Sequence, residues 1–192
     1  MKNVLYFGDS IMGQEPNHGY INLLAHHLYT VDPSSRHHFL QVGGNSSQDL
    51  LERIENEIAT RQNKGIRGIV VSIGIVDAGY KNPQNPEISL ETYQTNMQKI
   101  LSTAQNAAQA VWVPGLTRVN EQLPQPFSPG GKRTYSNKRI ETFDQALEGL
   151  CIEADIKYIL IHHLLLPEDL ADGIHPSRKR HIKIFERIKE NL

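Results

Sequence analysis

Residues 69–76 read IVVSIGIV, and this stretch decides which fold the rest of the sequence can adopt. It is apolar throughout except for Ser72 and Gly74. A strand with one face in water alternates polar and apolar residues, whereas a parallel strand covered by helices on both faces is apolar without interruption. We therefore predict that residues 69–76 form a central strand of a parallel sheet.

Segments with strand character alternate with segments of helical periodicity along the chain. Four further strands are predicted, at residues 4–7, 38–42, 110–113 and 158–161. Apolar residues at intervals of three and four predict helices at 20–29, from Ser46, from Ser89, at 135–153 and from Pro176. Because strand and helix alternate about five times, the sequence predicts an α/β protein with helices on both faces of a parallel sheet.

The last two helices carry specific expectations about burial. Cys151 is predicted to face the core from the helix at residues 135–153. Pro176 is predicted to be the first residue of the final helix, where its missing N–H would have no partner in any case. The apolar face expected for that helix consists of Ile182, Phe185, Ile188 and Leu192.

Composition excludes several classes of protein. The chain has 192 residues, of which 39% are hydrophobic, and this predicts one domain over residues 1–192. Its 20 basic and 21 acidic side chains give a net charge of −1, whereas a general nucleic-acid binder usually shows a basic excess. A single cysteine excludes an internal disulfide framework and a cysteine-based zinc site.

No apolar run is long enough to cross a bilayer, the longest being residues 68–76. The first residues lack the pattern of a secretory signal, since Lys2 precedes only a short apolar run. We therefore expect a cytoplasmic protein that binds no nucleic acid and does not insert into a membrane. The oligomeric state stays open.

Polar residues of interest follow directly after predicted strands, where ligands bind in parallel sheets. Gly8, Asp9 and Ser10 follow the first strand. The Ser10 hydroxyl could act as a nucleophile, with its own backbone N–H directed at a developing oxyanion. Ser10 could equally cap a helix. Phosphate binding is less favoured because neither a Walker motif nor Gly-x-Gly-x-x-Gly occurs.

A second segment, Asp172-Gly173-Ile174-His175, precedes the last predicted helix. An aspartate three residues before a histidine can accept a hydrogen bond from Nδ1–H, which leaves Nε2 to face a nucleophile. A turn aspartate beside a surface histidine is the alternative.

The third segment comprises residues 42–47, VGGNSS, after the second strand. Its glycines can present backbone N–H groups to an anion or an oxyanion. A tight turn that needs a positive φ is the alternative.

Taken together, Gly8-Asp9-Ser10, residues 42–47 and Asp172-x-x-His175 resemble the conserved blocks of the SGNH (GDSL) hydrolase family. The resemblance implies a flavodoxin-like, three-layer α/β/α fold with five parallel strands in the order 2-1-3-4-5. It also implies a Ser10–His175–Asp172 triad that hydrolyses esters or thioesters, with Gly44 as a second oxyanion donor beside Ser10. The other large serine-hydrolase fold is disfavoured because the chain lacks Gly-x-Ser-x-Gly.

One block departs from the family pattern. The family usually has Gly-x-Asn-Asp after the third strand, whereas this chain reads Gly74-Ile75-Val76-Asp77. Valine cannot donate a hydrogen bond, so Val76 leaves the oxyanion without the expected side-chain donor. Asn45, Asn17 or Arg118 could supply another donor, the substrate could supply its own polarisation, or the protein could be slow or only bind ligand. Asn45, Arg118 and Val76 are therefore expected at the substrate pocket, and Asp77 is given no catalytic role.

Other features of the sequence are assigned modest roles. The nine histidines include three adjacent pairs, which chelate poorly, so neither a metal nor a cofactor is expected. His18 is expected to be a solvated loop residue. The basic residues 178–180 are expected to form a solvated helix face, or alternatively to attract an anionic substrate or surface near His175.

Residues 116–134 are expected to form a polar loop that could cover Ser10. That polarity favours a short acyl group on a small or carbohydrate-like substrate. The predicted function is thus a serine esterase or acylhydrolase that forms an acyl-enzyme on Ser10. A catalytically weak binding protein of the same fold and an acyltransferase are the alternatives.

Overall fold

Five parallel strands form one sheet at the centre of the structure, a computed structural model that describes residues 2–13, 19–81, 88–127 and 133–192. The strands are β1 (Asn3–Gly8), β2 (Arg36–Phe39), β3 (Ile66–Ser72), β4 (Ala108–Pro114) and β5 (Lys157–Ile159). Their order is β2-β1-β3-β4-β5, and every neighbouring pair is parallel. The prediction of a five-stranded parallel sheet in the order 2-1-3-4-5 is confirmed.

Seven α-helices accompany the sheet within the described residues. They are α1 (Tyr20–Val31), α2 (Ser47–Leu51), α3 (Ile54–Ala59), α4 (Ile75–Ala78), α5 (Leu90–Ala107), α6 (Asn137–Glu153) and α7 (His181–Lys189). Short 3₁₀ turns cover Ser10–Met12, Gln62–Lys64 and Pro167–Asp169. None of the helices in the described ranges combines the length and apolar character needed to cross a bilayer.

Alternate residues of β1 supply two separate hydrophobic clusters, one on each face of the sheet. Leu5 and Phe7 pack in the larger cluster, with residues of α2, α3, α5 and α6, and Cys151 is buried there as predicted. Val4 and Tyr6 pack in the smaller cluster, with residues of α1 and α7. Since side chains alternate along a strand, β1 joins the two helical layers through the sheet.

The third strand is shorter at its carboxyl end than predicted. β3 ends at Ser72, and residues 75–78 form the buried helix α4, so the prediction of a strand through Val76 is wrong. Gly74 begins this helix with a φ of +134°, a conformation that residues with a side chain rarely adopt. A short apolar run does not distinguish a buried strand from a buried helix, and this helix is buried throughout.

The second strand also lies earlier than predicted, at Arg36–Phe39 rather than 38–42. The chain nevertheless stays alongside β1 beyond this strand. The N–H groups of Leu40 and Val42 donate to the carbonyls of Tyr6 and Gly8, at 2.9 and 3.0 Å.

Ser46 and Ser89 cap the helices α2 and α5, as expected from their side chains. The final helix does not begin at Pro176, which instead pairs with Leu170 in an isolated antiparallel bridge. Helix α7 begins five residues later, at His181, and its buried residues are His181, Ile184 and Ile188. The predicted face is therefore wrong at Ile182 and Leu192, which are 50% and 42% exposed.

Asp169 ties the segment before His175 to helix α7. Its side chain is 1% exposed and accepts from Arg180 Nε and Lys183 Nζ, both at 2.6 Å. The backbone N–H of Leu166, three residues earlier in the chain, donates to the same carboxylate at 3.0 Å. Two of the basic residues near the start of α7 are thus partners of a buried carboxylate.

A matched pair of glycine substitutions tests the packing of the sheet. A Cβ on Gly68 of β3 would lie 2.3 Å from Cζ3 of Trp112, whereas a Cβ on Gly149 of α6 would meet nothing within 4 Å. We expect Gly68→Ala to lower the free energy of unfolding by about 1–3 kcal/mol, because a packed ring must move. Gly149→Ala should raise it by about 0.5–1 kcal/mol, since alanine favours a helix interior. Urea unfolding measures both, and equal stabilities would contradict this account.

Candidate active site

The carboxyl end of β1 presents Ser10 through a tight approach to β3. The Asp9 N–H donates to the Ser72 carbonyl at 3.3 Å. A Cβ on Gly8 would lie 2.4 Å from that carbonyl oxygen and 2.2 Å from Met12 Sδ, so only glycine fits. The side chain of Asp9 caps the following turn by accepting from the Ile11 N–H at 2.9 Å. Because Asp9 is the cap, the Ser10 hydroxyl is not used for capping.

A chain of hydrogen bonds links Ser10 to the segment near the end of the chain. Ser10 Oγ lies 2.9 Å from His175 Nε2, across 165 residues of sequence. His175 Nδ1 lies 2.7 Å from Asp172 Oδ2. With Nδ1 protonated, His175 donates to Asp172 and its Nε2 accepts from the serine hydroxyl. The structure therefore brings together the three residues that the sequence proposed as nucleophile, base and acid.

The Asp172 carboxylate is fixed by the turn that carries it. Its Oδ1 accepts from the backbone N–H groups of Ile174 and His175, at 3.1 and 2.8 Å. Burial acts to raise the pKa of Asp172, but the hydrogen bonds from His175 and Ile174 outweigh it, and the pKa lies below its ordinary value. Asp172 is therefore ionised at neutral pH and orients the His175 ring.

The loop after β4 packs against the turn that carries Asp172 and His175. The Asn120 N–H donates to the Gly173 carbonyl at 2.8 Å. Phe127 packs so closely on Gly173 that a Cβ there would lie 2.5 Å from the ring. The Phe127 ring also stacks on Tyr135, with centroids 6.1 Å apart. The described part of the loop expected at residues 116–134 thus contacts the Asp172–His175 turn; Lys132 lies outside the described residues.

The backbone N–H groups of Ser10 and of Gly44 are available to an anion. The loop after β2 runs close to the serine, because a Cβ on Gly43 would lie 3.8 Å from Ser10 Cβ. Gly44 has a φ of +78°, the left-handed region that favours glycine. Within the described residues, no hydrogen bond occupies the N–H of Ser10 or of Gly44.

Buried hydrogen bonds join helix α4 to the loop after β2. Asp77 is fully buried and accepts from the Ser47 N–H at 2.9 Å and from the Ser47 hydroxyl at 2.5 Å. Asn96 of α5 donates to the same hydroxyl at 3.1 Å. Sequence reasoning gave Asp77 no catalytic role, included Ser47 only as the last residue of segment 42–47, and missed Asn96. The position of Asp77, shortly beyond the carboxyl end of β3, was the available signal.

Val76 lies on α4, beside Asp77, and is 6% exposed. Its side chain belongs to the larger hydrophobic cluster and has no donor or acceptor. The position at which the family usually has asparagine is therefore apolar and largely covered.

Arg118 lies in the loop after β4. It is exposed and lines a cavity of about 160 Å³ formed with the segments 119–122 and 165–170. Its charge acts on the buried ring of His162, where burial and this charge both lower the pKa. Asn17 and His18 lie outside the described residues. Within the described ranges, no three His, Cys, Asp or Glu side chains meet in a group that could hold a metal ion.

Residues 6–181 match the sequence model of the GDSL-like Lipase/Acylhydrolase family. The chain belongs to this family. The resemblance drawn from Gly8-Asp9-Ser10 and Asp172-x-x-His175 is confirmed, and so is the prediction of a GDSL-type esterase or acylhydrolase. The GDSL protein departs from its family at Val76. No curated protein sequence in the comparison matches it.

Solved structures share the fold of this GDSL protein along nearly its whole length. The acetylxylan esterase Axe2 from Geobacillus stearothermophilus is 18% identical, with a TM-score of 0.76 over 99% of this chain and 93% of that one. An α/β hydrolase enzyme, LAE5, from the metagenome of Lake Arreo in Spain is 17% identical, with a TM-score of 0.76 over 99% and 94%. Both similarities confirm the three-layer fold.

The buried carboxyl group of Asp9 makes stability depend on pH. Burial raises its pKa from 3.8 to about 7, the Ile11 N–H acting against this shift and the nearby Asp77 adding to it. A raised carboxyl pKa means that the folded state binds more protons between pH 4 and 7, so the free energy of unfolding falls as pH rises through this range. We expect the free energy of unfolding of Asp9→Asn not to fall in this way. The difference between the variant and wild type should therefore shift in favour of the variant from pH 4 to pH 7 and be constant above that.

Chemical denaturation at several pH values measures this difference. Asp155→Asn is the matched control, because Asp155 is exposed and its φ of 52° is one that asparagine tolerates. Its curve should run parallel to that of wild type. A parallel curve for Asp9→Asn as well would show that Asp9 does not titrate in this range.

Proposed function

We propose that this GDSL protein is a serine hydrolase that cleaves a short-chain ester, through an acyl-enzyme on Ser10. The observation that carries the proposal is the linked pair of distances, 2.9 Å from Ser10 Oγ to His175 Nε2 and 2.7 Å from His175 Nδ1 to Asp172 Oδ2. Such a relay activates a hydroxyl that is otherwise a weak nucleophile. Membership of an acylhydrolase family supports the same reaction.

In the first half of the reaction, Ser10 Oγ attacks the acyl carbonyl while its proton passes to His175 Nε2. Asp172 stabilises the imidazolium that forms, because its pKa is low and it remains a carboxylate. The imidazolium then protonates the leaving alcohol as the tetrahedral intermediate collapses. In the second half, a water molecule loses its proton to His175 and releases the acid, and the proton returns to Ser10.

The oxyanion of each tetrahedral intermediate would be held by the N–H groups of Ser10 and Gly44. Both are free of other hydrogen bonds within the described residues, and Gly43, the neighbour of Gly44, would bring a Cβ to 3.8 Å from Ser10 Cβ. Donors already aimed at the developing charge need no reorganisation during the reaction, and each is worth about 10²–10³ in kcat.

The proposed substrate is an acetyl or similarly short ester on a small or carbohydrate-like carrier. Support comes from the acetylxylan esterase whose fold matches along the chain and from the polar side chains of the loop after β4, which include Arg118, Asn120 and Gln122. The proposal includes no cofactor and no metal. A cytoplasmic location is proposed from the single cysteine, which matches proteins of reducing compartments.

The second candidate function is a protein that binds the ester but has lost most of its catalytic activity. The valine at position 76 favours it. A buried valine at this position provides no side-chain donor to an oxyanion. If the missing side-chain donor has made the protein nearly inactive, Val76→Asn should raise kcat at least tenfold above that of wild type. An acyltransferase would instead move the acyl group to an added alcohol or sugar faster than to water.

Hydrolysis of p-nitrophenyl acetate by wild type and Ser10→Ala tests the nucleophile. We expect Ser10→Ala to lose at least 10³-fold in kcat, because the acyl-enzyme cannot form. Asp172→Asn should lose about 10⁴-fold, because His175 would adopt the wrong tautomer. Ser102→Ala, at an exposed site on α5, is the control and should match wild type.

A fluorophosphonate probe gives a second readout of the same serine. Mass spectrometry of the labelled protein should show one adduct, on Ser10, and none in Ser10→Ala. Equal hydrolysis by wild type and Ser10→Ala, or labelling elsewhere, would refute the assignment of Ser10.

Chain-length preference tests the proposed acyl group. We expect kcat/KM to fall steadily from p-nitrophenyl acetate through butyrate to octanoate. Release of acetate from acetylated xylo-oligosaccharides, measured by ion chromatography, tests the carrier. A preference for octanoate would contradict the short-chain substrate while leaving the nucleophile in place.

A further inference from the structure

The proposed reaction leaves one place around the oxyanion unfilled. Helix α4 approaches the site from both ends, since Asp77 binds Ser47 and the Gly74 N–H acts on the carboxylate of Asp9. Ile75 and Val76 lie between these anchors, and the side chain of Val76, at the position where the family usually has asparagine, cannot donate a hydrogen bond. If the protein turns over esters, a side chain from another element has to supply the third donor or the rate must be low.

Asn45 follows Gly44 directly and has one end of its amide already fixed. Arg53 Nε donates to Asn45 Oδ1 at 3.2 Å. Because the amide is planar and its Oδ1 faces the Arg53 guanidinium, the Asn45 Nδ2 is turned away from Arg53. Within the described residues, that Nδ2 has no hydrogen-bond acceptor. A donor is therefore oriented and unused next to the glycine that contributes to the oxyanion site.

Arg53 is itself held firmly enough to orient the amide. Its Nη2 donates to the Leu40 carbonyl at 2.9 Å. Its guanidinium carbon lies 6.0 Å from the centroid of the Phe7 ring, and Phe7 is fully buried in β1. The side chain is only 22% exposed and also lies 4.0 Å from a carboxylate oxygen of Glu57. The guanidinium thus connects the loop after β2 to β1, the strand that precedes Ser10.

The backbone of this loop keeps Asn45 near the serine. The Val42 N–H donates to the Gly8 carbonyl at 3.0 Å, and the Asn45 N–H turns back to the Val42 carbonyl at 3.2 Å. Between them, the Cβ position of Gly43 lies 3.8 Å from Ser10 Cβ. Asn45 is half-buried in this turn.

We propose that Asn45 Nδ2 donates the third hydrogen bond to the oxyanion in place of the asparagine missing at Val76, and that Arg53 is the residue that positions it. This inference rests on the proposed esterase function. Arg118 is the weaker candidate because it does not adjoin Gly44 in the chain but lies in the loop after β4, where it lines a cavity with Asn120 and Leu170.

Steady-state kinetics of Asn45→Ala and Asn45→Asp on p-nitrophenyl acetate test the proposal. We expect Asn45→Ala to lose about 10–10²-fold in kcat with KM within about twofold, because the bond forms only with the charged intermediate. Asn45→Asp keeps the oxygen that Arg53 binds but replaces the donor with a negative oxygen, so its kcat should be lower still. Asn106→Ala, at an exposed site on α5, is the matched control.

A double-mutant cycle separates a donor from a merely structural side chain. If Asn45 fills the place left by Val76, then Val76→Asn should restore kcat of Asn45→Ala by at least tenfold. The Arg53→Met substitution removes the positioning contact, so it should lower kcat in wild type and have little further effect in the Asn45→Ala background. A structural defect would not be rescued by a new donor on α4, and thermal unfolding of each variant checks that it folds.

The outcomes separate this inference from the function on which it rests. Ser10-dependent hydrolysis with wild-type kcat in Asn45→Ala would overturn the role of Asn45 and leave the esterase intact. A loss in Asn45→Ala that appears in KM alone, or that Val76→Asn fails to rescue, would also overturn it. Full activity in Ser10→Ala would instead refute the proposed function, and the inference would fall with it.

Discussion

The buried carboxylate of Asp77 is the interaction on which the geometry of this site depends. It receives both the N–H and the hydroxyl of Ser47, and it does so with no exposure to solvent. Removing either partner would leave a buried charge or donor unsatisfied, which is far more unfavourable than losing a surface hydrogen bond. The loop that carries Gly43, Gly44 and Asn45 is consequently fixed to α4, and its distance to Ser10 follows from that attachment.

The placement of polar residues after strands made most of the candidate site predictable. Ser10 and His175 were predicted because ligands in parallel sheets bind at the carboxyl ends of strands, and Gly44 was assigned from the family resemblance. The sheet order was predicted from the family resemblance alone. The prediction from strand ends succeeded because burial on both faces leaves a strong apolar signature in each strand, and because glycine at Gly8 is required by a close approach to the Ser72 carbonyl.

Other features were not predictable for identifiable physical reasons. Helix α4 continues the apolar run of β3, so only the backbone of Gly74, with its φ of +134°, reveals the change from strand to helix. The start of the last helix was misplaced because Pro176 suits a bridge residue as well as a helix start. The buried ion pairs of Asp169 with Arg180 and Lys183 depend on the tertiary path of the segment, which local sequence patterns do not encode.

Asp172 and His175 share a single turn, so their mutual distance is set locally, by a hydrogen bond that spans three residues. The contact between His175 and Ser10 is different, because it spans 165 residues and joins the first strand to the segment before the last helix. An intermediate in which the segment carrying Ser10 had not yet docked would therefore have Asp172 and His175 paired, but would have no nucleophile beside His175. Formation of this contact during refolding would report when the two ends of the polypeptide first meet.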